Sequence, residues 1–293
     1  MPQPETTTDQ SRGVQLGAVV RRFYRRPVSA AAAIIFSIFL LVALVGPWIA
    51  PYGANEQIYE DARQSPSAKH WFGTDNLGRD IFSRVVLGAR DVLTLAGLGT
   101  LLAVLAGTAI GLFSGYQGGW VDEVLMRFFD SLLSLPALLL ALLLLGSLGP
   151  SRNSVLIVIA VAYTPIVARV VRSVVLSVKH KGFVASARVQ GESAWYLLFR
   201  EIFPSTLPAL TVEGSLRFSY AIFLVASLGF LGVGVQPPSP DWGLMVRDGR
   251  ANFTQTPWAL YFPAGAIALL VVSVNIIADT LKQILQTPSQ LQR

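Results

Sequence analysis

Six long apolar runs leave this chain few ways to fold. Ser29–Ala50, Val92–Val121, Ser131–Ser151, Asn153–Ala168, Phe218–Pro240 and Ala251–Ala278 contain no Asp, Glu, Lys or Arg. A helix crossing a bilayer needs roughly 17 to 25 apolar residues, because the hydrocarbon is about 30 Å thick and a helix rises about 1.5 Å per residue. Five runs meet that length. The fourth falls slightly short and ends on Arg152 and Arg169, whose long stems can snorkel to the interface, so it reads as a span, with a buried core helix as the alternative. Only 14% of the 293 residues are charged, against about a quarter in ordinary soluble domains, which argues against both disorder and a soluble enzyme. The pattern predicts an all-α membrane protein with six transmembrane helices, over about 29–50, 92–116, 126–147, 153–175, 212–235 and 258–280.

The first run follows Arg21, Arg22, Arg25 and Arg26, as a secretory signal would, but its length exceeds the usual apolar core of about 7 to 15 residues. It has no convincing cleavage site, and Trp48 and Tyr52 sit where interfacial aromatics anchor a helix, so it reads as retained. With both termini cytoplasmic, the inner segments carry 15 Lys and Arg against 8 in the outer ones, and positive-inside favours that orientation. The bases therefore act as topology signals, and the net charge of +6 implies no nucleic-acid partner. Residues 1–20 are polar without apolar period and read as a disordered cytoplasmic tail before a membrane domain over 21–288.

Residues 51–91 form the largest outer segment. Within it Ile81, Phe82, Val85, Val86 and Ala89 share a helical face, which fits either an interfacial helix or the extramembrane start of the second span. Gly107, Gly111 and Gly115 stand four residues apart and predict close helix packing, more readily within the bundle than in a dimer. Pro136, Pro165 and Pro263 invite kinks.

Sites of covalent chemistry are sparse. No Gly-Lys dipeptide exists, so a phosphate-cradling P-loop is absent, and there is no GxSxG elbow. With no Cys and two separated histidines, His70 and His180, a metal centre is not expected. His70 is the one conceivable catalytic group, and a lone imidazole reads better as a hydrogen-bonded structural residue. Asp130, Arg217 and Asp279 fall at run edges, leaving span interiors nearly uncharged; a channel or ion-coupled secondary transporter would want an intramembrane carboxylate. The long inner loop 169–217 carries small residues Ala185, Ser186 and Ala187, then Gly191, with Phe183, Trp195 and Phe199 as apolar anchors. That pattern suits either a helix seated in a soluble partner's groove or an amphipathic connector on the lipid surface.

The stretch FVASARVQGESAWYLLFREIFP resembles the EAA loop of bacterial ABC importer permeases, and four further segments join it in order: HWFGTDNLGRDIFSRVVLGAR, DSLLSLPALLLAL, SLGFLGVGVQPPSPDWG and FPAGAIALLVVSVNIIADTLKQILQTP. Together they resemble the second, C-type permease subunit of dipeptide, oligopeptide and nickel importers, over about residues 20 to 288. The resemblance implies the type I importer fold in a bacterial plasma membrane, a second homologous permease subunit, two ABC ATPase subunits that bind ATP and Mg below, and an extracytoplasmic solute-binding protein above. This chain would then be no enzyme, would hold no cofactor, and would form half of a path for peptides, with nickel or another small solute as the alternative cargo. The ATPase-coupling residues implied are Phe183, Val184, Ala185, Ser186, Ala187, Arg188, Gly191 and Glu192, within a coupling loop over 176–205. Gly73, Asp75, Gly78, Arg79 and Asp80 are implied near the delivery protein, though GTDNLGRD also reads simply as a turn and helix cap. One departure stands out: Ala185 occupies the position of the motif's Glu.

Overall fold

The computed structural model describes Arg21 and residues 23–286, and the expected tail over 1–20 lies outside the described residues. Among the described residues ten α-helices follow in order: α1 (Pro27–Ile49), α2 (Ile81–Gln117), α3 (Gly119–Leu133), α4 (Ala137–Leu148), α5 (Arg152–Val178), α6 (Gly182–Val189), the single turn α7 (Ala194–Tyr196), α8 (Phe203–Phe230), α9 (Trp242–Ala251) and α10 (Trp258–Gln286). A π-helical stretch, Leu197–Ile202, joins α7 to α8. Among the described residues five helices are long and apolar enough to cross a membrane, and α3 with α4 makes a sixth if the bent pair counts as one span.

That pair departs from the sequence reading. The expected continuous span over 126–147 breaks at Ser134–Pro136 and turns by 93°. Pro136 lacks an N–H and disfavours helical geometry at Leu135, so the apolar run is cut in two. The fifth span also differs: α8 starts at Phe203, well before the expected 212, because polar side chains in STLPALTVEGSLRF conceal its helical face.

The densest contact joins α2 to α5. A Cβ on Gly107 would stand 2.6 Å from Val167 Cβ, one on Gly111 2.5 Å from the Ala168 carbonyl oxygen, and one on Gly115 2.9 Å from Val175 Cβ. Gly99 continues the seam, with Ile159 2.7 Å away. The glycine stripe is thus an intramolecular packing face, which brings two backbones together where dispersion contacts replace the hydrophobic drive missing in lipid. At the end of the seam that carries α6, called inner and its opposite outer after the expected orientation, Arg172 donates to both oxygens of Asp122 at 2.5 Å, and Lys179 Nζ donates to the Gly115 carbonyl at 2.9 Å, holding α3 and α2 against α5. At the outer end Arg152 donates to Asp91 at 2.6 Å. The fourth run, shortest in the sequence, becomes the most enclosed of the long helices.

Around this pair, α8, α10 and α1 complete the bundle, with α1 at the periphery. Ser29 and Thr280 hydroxyls meet at 2.8 Å and tie α1 to α10 near their inner ends. The amphipathic stretch after Asp80 is the beginning of α2 itself, which runs 37 residues without interruption and has no separate interfacial helix.

The seam predicts an unequal response to added volume. Gly111→Leu should lower the thermal unfolding midpoint in detergent and the folded yield, at about 1–3 kcal/mol or more of overpacking. Gly146→Ala, on α4 where a Cβ meets nothing within 4 Å, should stay within about 1 kcal/mol of the parent. Equal effects from the two would contradict this packing.

Candidate functional site

Three regions concentrate the residues singled out by the sequence. On the inner side, α6 ends in a hydrogen-bonded stop. Gly191 N–H donates to the Arg188 carbonyl at 3.1 Å and Glu192 N–H to the Ala187 carbonyl at 3.2 Å, the paired pattern of a Schellman cap, and Gly191 has φ +85°. A Cβ there would meet open space, so the glycine is required by its backbone angle and not by crowding. Ser193 then caps α7 by accepting from Tyr196 N–H at 3.2 Å.

The π-helical turn puts Leu197, Leu198 and Ile202 all inward, where they meet Val184 and Ala187 of α6 and Val171, Val175 and Val178 of α5. Val184 and Ala187 are buried and mount α6 on the bundle, while Phe183, Ala185, Ser186, Arg188, Gly191 and Glu192 are exposed. Trp195 and Phe199 stack at 5.4 Å, nearly parallel, and both stay exposed along with Val189 and Phe183. An apolar face therefore projects from a firmly seated helix.

On the outer side, His70 is fully buried. Its Nδ1 lies 2.9 Å from Asp80 and its Nε2 3.3 Å from Asp61, while Tyr52 stacks on the ring at 4.9 Å. Tyr52 is thus engaged within the outer segment and is not an interfacial anchor. Asp80 also caps α2 by accepting from Ser83 N–H at 2.7 Å. Lys69 pairs with Asp61, and the hydrogen bonds from Lys69 and His70 hold the Asp61 carboxyl below its ordinary range. Asp75 accepts from the N–H groups of Leu77 and Arg79 and from the Arg79 side chain.

Gly73 (φ +74°) and Gly78 (φ +74°) take left-handed backbone, and a Cβ on Gly78 would lie 2.1 Å from the Ile58 carbonyl oxygen. Trp258 Nε1 donates to the Thr74 carbonyl at 2.9 Å, fastening this knot to α10. Gly73, Asp75, Gly78, Arg79 and Asp80 are brought together, and each shapes or caps the segment.

Next to the knot, α8 turns back into α9. Asp241 caps α9 by accepting from Leu244 N–H at 2.8 Å, and its carboxylate is packed so closely on Gly229 that a Cβ there would lie 2.0 Å from it. Burial pushes this carboxyl up to about 6, with nearby Asp91 adding to the shift.

The third region was hidden from the sequence. Glu213 and Arg217 lie one turn apart inside α8, Arg217 Nε 2.7 Å from Glu213 Oε1, and neither is at a helix edge. The Arg217 guanidinium carbon is 5.6 Å from the Tyr163 ring centre and 4.8 Å from that of Tyr220. A cavity of about 360 Å³ opens beside them, lined also by Ala137, Leu138 and Ser227. The nearest sequence signal was the ExxxR spacing, masked because the charge-free run begins at Phe218 and leaves Arg217 at its edge.

These features carry specific resemblances. Residues 107–287 match the profile described as the binding-protein-dependent transport system inner membrane component, and residues 15–66 that of the N-terminal transmembrane domain of oligopeptide transport permease C. The chain belongs to this inner-membrane permease family. The dipeptide transport system permease protein DppC of Alkalihalophilus pseudofirmus is 38% identical over 265 residues, covering 90% of this chain and 87% of the relative. The glutathione transport system permease protein GsiD of Pectobacterium atrosepticum is 36% identical and that of Escherichia coli O157:H7 40%, each over 90% of this chain and 88% of the relative. Membership of the permease family makes this a multi-pass, all-helical membrane protein with the type I importer fold.

The Asp241 environment makes a pH prediction. The folded carboxyl titrates near 6 and the unfolded one near 3.8, so burial is harmless below about 3.8, and the penalty accumulates as pH rises to about 6 and stays constant above it. Asp241→Asn keeps the cap and removes the charge. It should raise thermal stability at pH 7.5 by about 2–3 kcal/mol and change little at pH 3.5. A stabilisation independent of pH would refute the assignment.

Proposed function

We propose that this permease forms half of the path through an ATP-driven importer for short peptides, and that its work is gating without covalent chemistry. The observation carrying the reading is the seated helix α6: a Schellman-closed helix, buried on Val184 and Ala187 and bare on Phe183 and Val189, followed by the exposed pair Trp195 and Phe199, borne by a member of the binding-protein-dependent permease family. Such a helix can pass a push from a soluble partner into α5 and α8 because its own core leaves little slack. Two ABC ATPase subunits binding ATP and Mg would supply the push, a second homologous permease subunit would complete the path, and an extracytoplasmic solute-binding protein would deliver cargo. Both termini would then face the cytoplasm, where α6 lies.

Ala185 is exposed on α6, so the missing acid changes the docking face and leaves this chain's core untouched. Exposed Arg188 and Glu192 offer charge on the same face. Peptide cargo is favoured by kinship with permeases named for dipeptide and glutathione transport. In the outer knot, Asp75, Arg79 and their neighbours would form a rigid rim beneath the delivery protein.

Affinity purification of the tagged chain from its own membrane tests the reading. An ATPase with a Walker motif and a second permease should co-purify with the parent. Gly191→Trp and Phe183→Glu should each weaken ATPase retention about 30-fold or more, as loss of a central apolar anchor does, while the second permease remains. A chain that purifies alone and moves solute in vesicles without an ATPase would place it among channels or secondary transporters.

A further inference from the structure

We propose that Arg217 is a binding site for the carboxylate of the cargo, placed part-way along the membrane path; the cargo class rests on the peptide reading above. Depth is fixed by α5. Its apolar stretch runs between Arg152 and Arg169, and Tyr163 lies eleven residues from the first and six from the second, about 16 Å and 9 Å along the axis. Arg217 packs over Tyr163 and so shares that depth. A cation in the apolar layer is expensive and is retained where it faces a partner or a water-filled path.

Glu213 pairs with Arg217 as an ion pair, yet among the described residues neither Glu213 Oε1 nor Arg217 Nε has a hydrogen-bond partner. Both are mostly but not fully enclosed, at 14% and 13% side-chain exposure, and Arg217 lines a cavity of about 360 Å³. That volume falls in the range of small-ligand sites, roughly 300–1,000 Å³. A second hollow of about 320 Å³ shares Leu138, Phe223 and Ser227 with it, so the two form one trough along α8.

The opposite wall reinforces the charge preference. Ala137 and Leu138 begin α4, the outer half of the broken span, and the first intrahelical bond there is Leu140 N–H to the Pro136 carbonyl. The amides of the first turn are therefore not used within α4, and its positive end lies at the trough. Tyr220 is half exposed there and brings a hydroxyl. A planar guanidinium on the wall of an open hollow suits a carboxylate, which it can grip with two parallel bonds. Every short peptide with a free C-terminus carries that group.

The test uses the complete importer in cells, comparing uptake of dialanine with that of dialaninamide. Arg217→Gln should lower dialanine uptake about tenfold and leave dialaninamide uptake unchanged, with Arg217→Lys intermediate. The exchanged pair, Glu213→Arg with Arg217→Glu, keeps the ion pair but moves the cation by one turn, and should remain as poor as Arg217→Gln. Recovery of uptake in the exchanged pair, or equal loss for both probes, would reduce Arg217 to a structural role and overturn the proposal. The exchanged pair and Arg217→Lys decide the matter if Arg217→Gln fails to reach the membrane. Should the parent import neither probe, the peptide reading fails, and the site is then read by thermal shift of the purified assembly with millimolar dialanine and dialaninamide. A shift by dialanine alone, reduced in Arg217→Lys and lost in the exchanged pair, upholds the carboxylate site; any other result overturns it.

Discussion

Close approach of two helix backbones along the Gly99, Gly107, Gly111 and Gly115 stripe is the contact on which the other features rest. It seats α5 in the middle of the bundle, and α5 then serves three purposes along its length. Its outer end holds Arg152 against Asp91, which also accepts from Ser239 in the turn before α9. Its middle presents Tyr163 to the trough, and its inner end offers Val171, Val175 and Val178 as the bed for α6. Side chains on those glycines would push α5 outward and disturb all three levels together.

Charge is distributed to match that frame. At the bundle ends, Asp122 with Arg172 joins α3 to α5, while the cluster of Asp61, Lys69, His70 and Asp80 closes the segment before α2 on itself around a buried His70 and Asp80. The half-exposed pairs among these serve mainly to orient, since each contributes little free energy. The pair Glu213 and Arg217 differs in lying within one helix, so it joins no two segments. Its Arg217 lines the trough, and the rigid ends hold that wall in place.

Much of this was legible in the sequence. The glycine spacing named its packing face, because a four-residue period on one helix is written along the chain even though its partner is distant, and the GTDNLGRD segment named its turn and cap, because those depend on bonds between residues close in the chain. His70 was read as structural, and its two Asp partners and the Tyr52 stack show how. The break at Pro136 was visible as a kink, but its 93° angle was not, since the direction of the chain after a proline is decided by what the two halves pack against. The charged pair in α8 escaped notice because counting charge-free residues treats every Glu or Arg as a span boundary.

The sequence by itself determined that this chain spans a membrane in about six apolar passes, lacks a P-loop and the GxSxG elbow, and bears the loop and terminal motifs of an importer permease. Those properties depend on run length, residue type and local hydrogen bonding, all of which are written along the chain. Only the tertiary structure decided which of the coupling-loop residues seat α6 and which remain free, and that Arg217 lines a hollow instead of ending a helix. Both turn on which face of a helix meets a neighbour, and that is set by contacts between α5, α8 and α4 that no periodicity in any one of them contains.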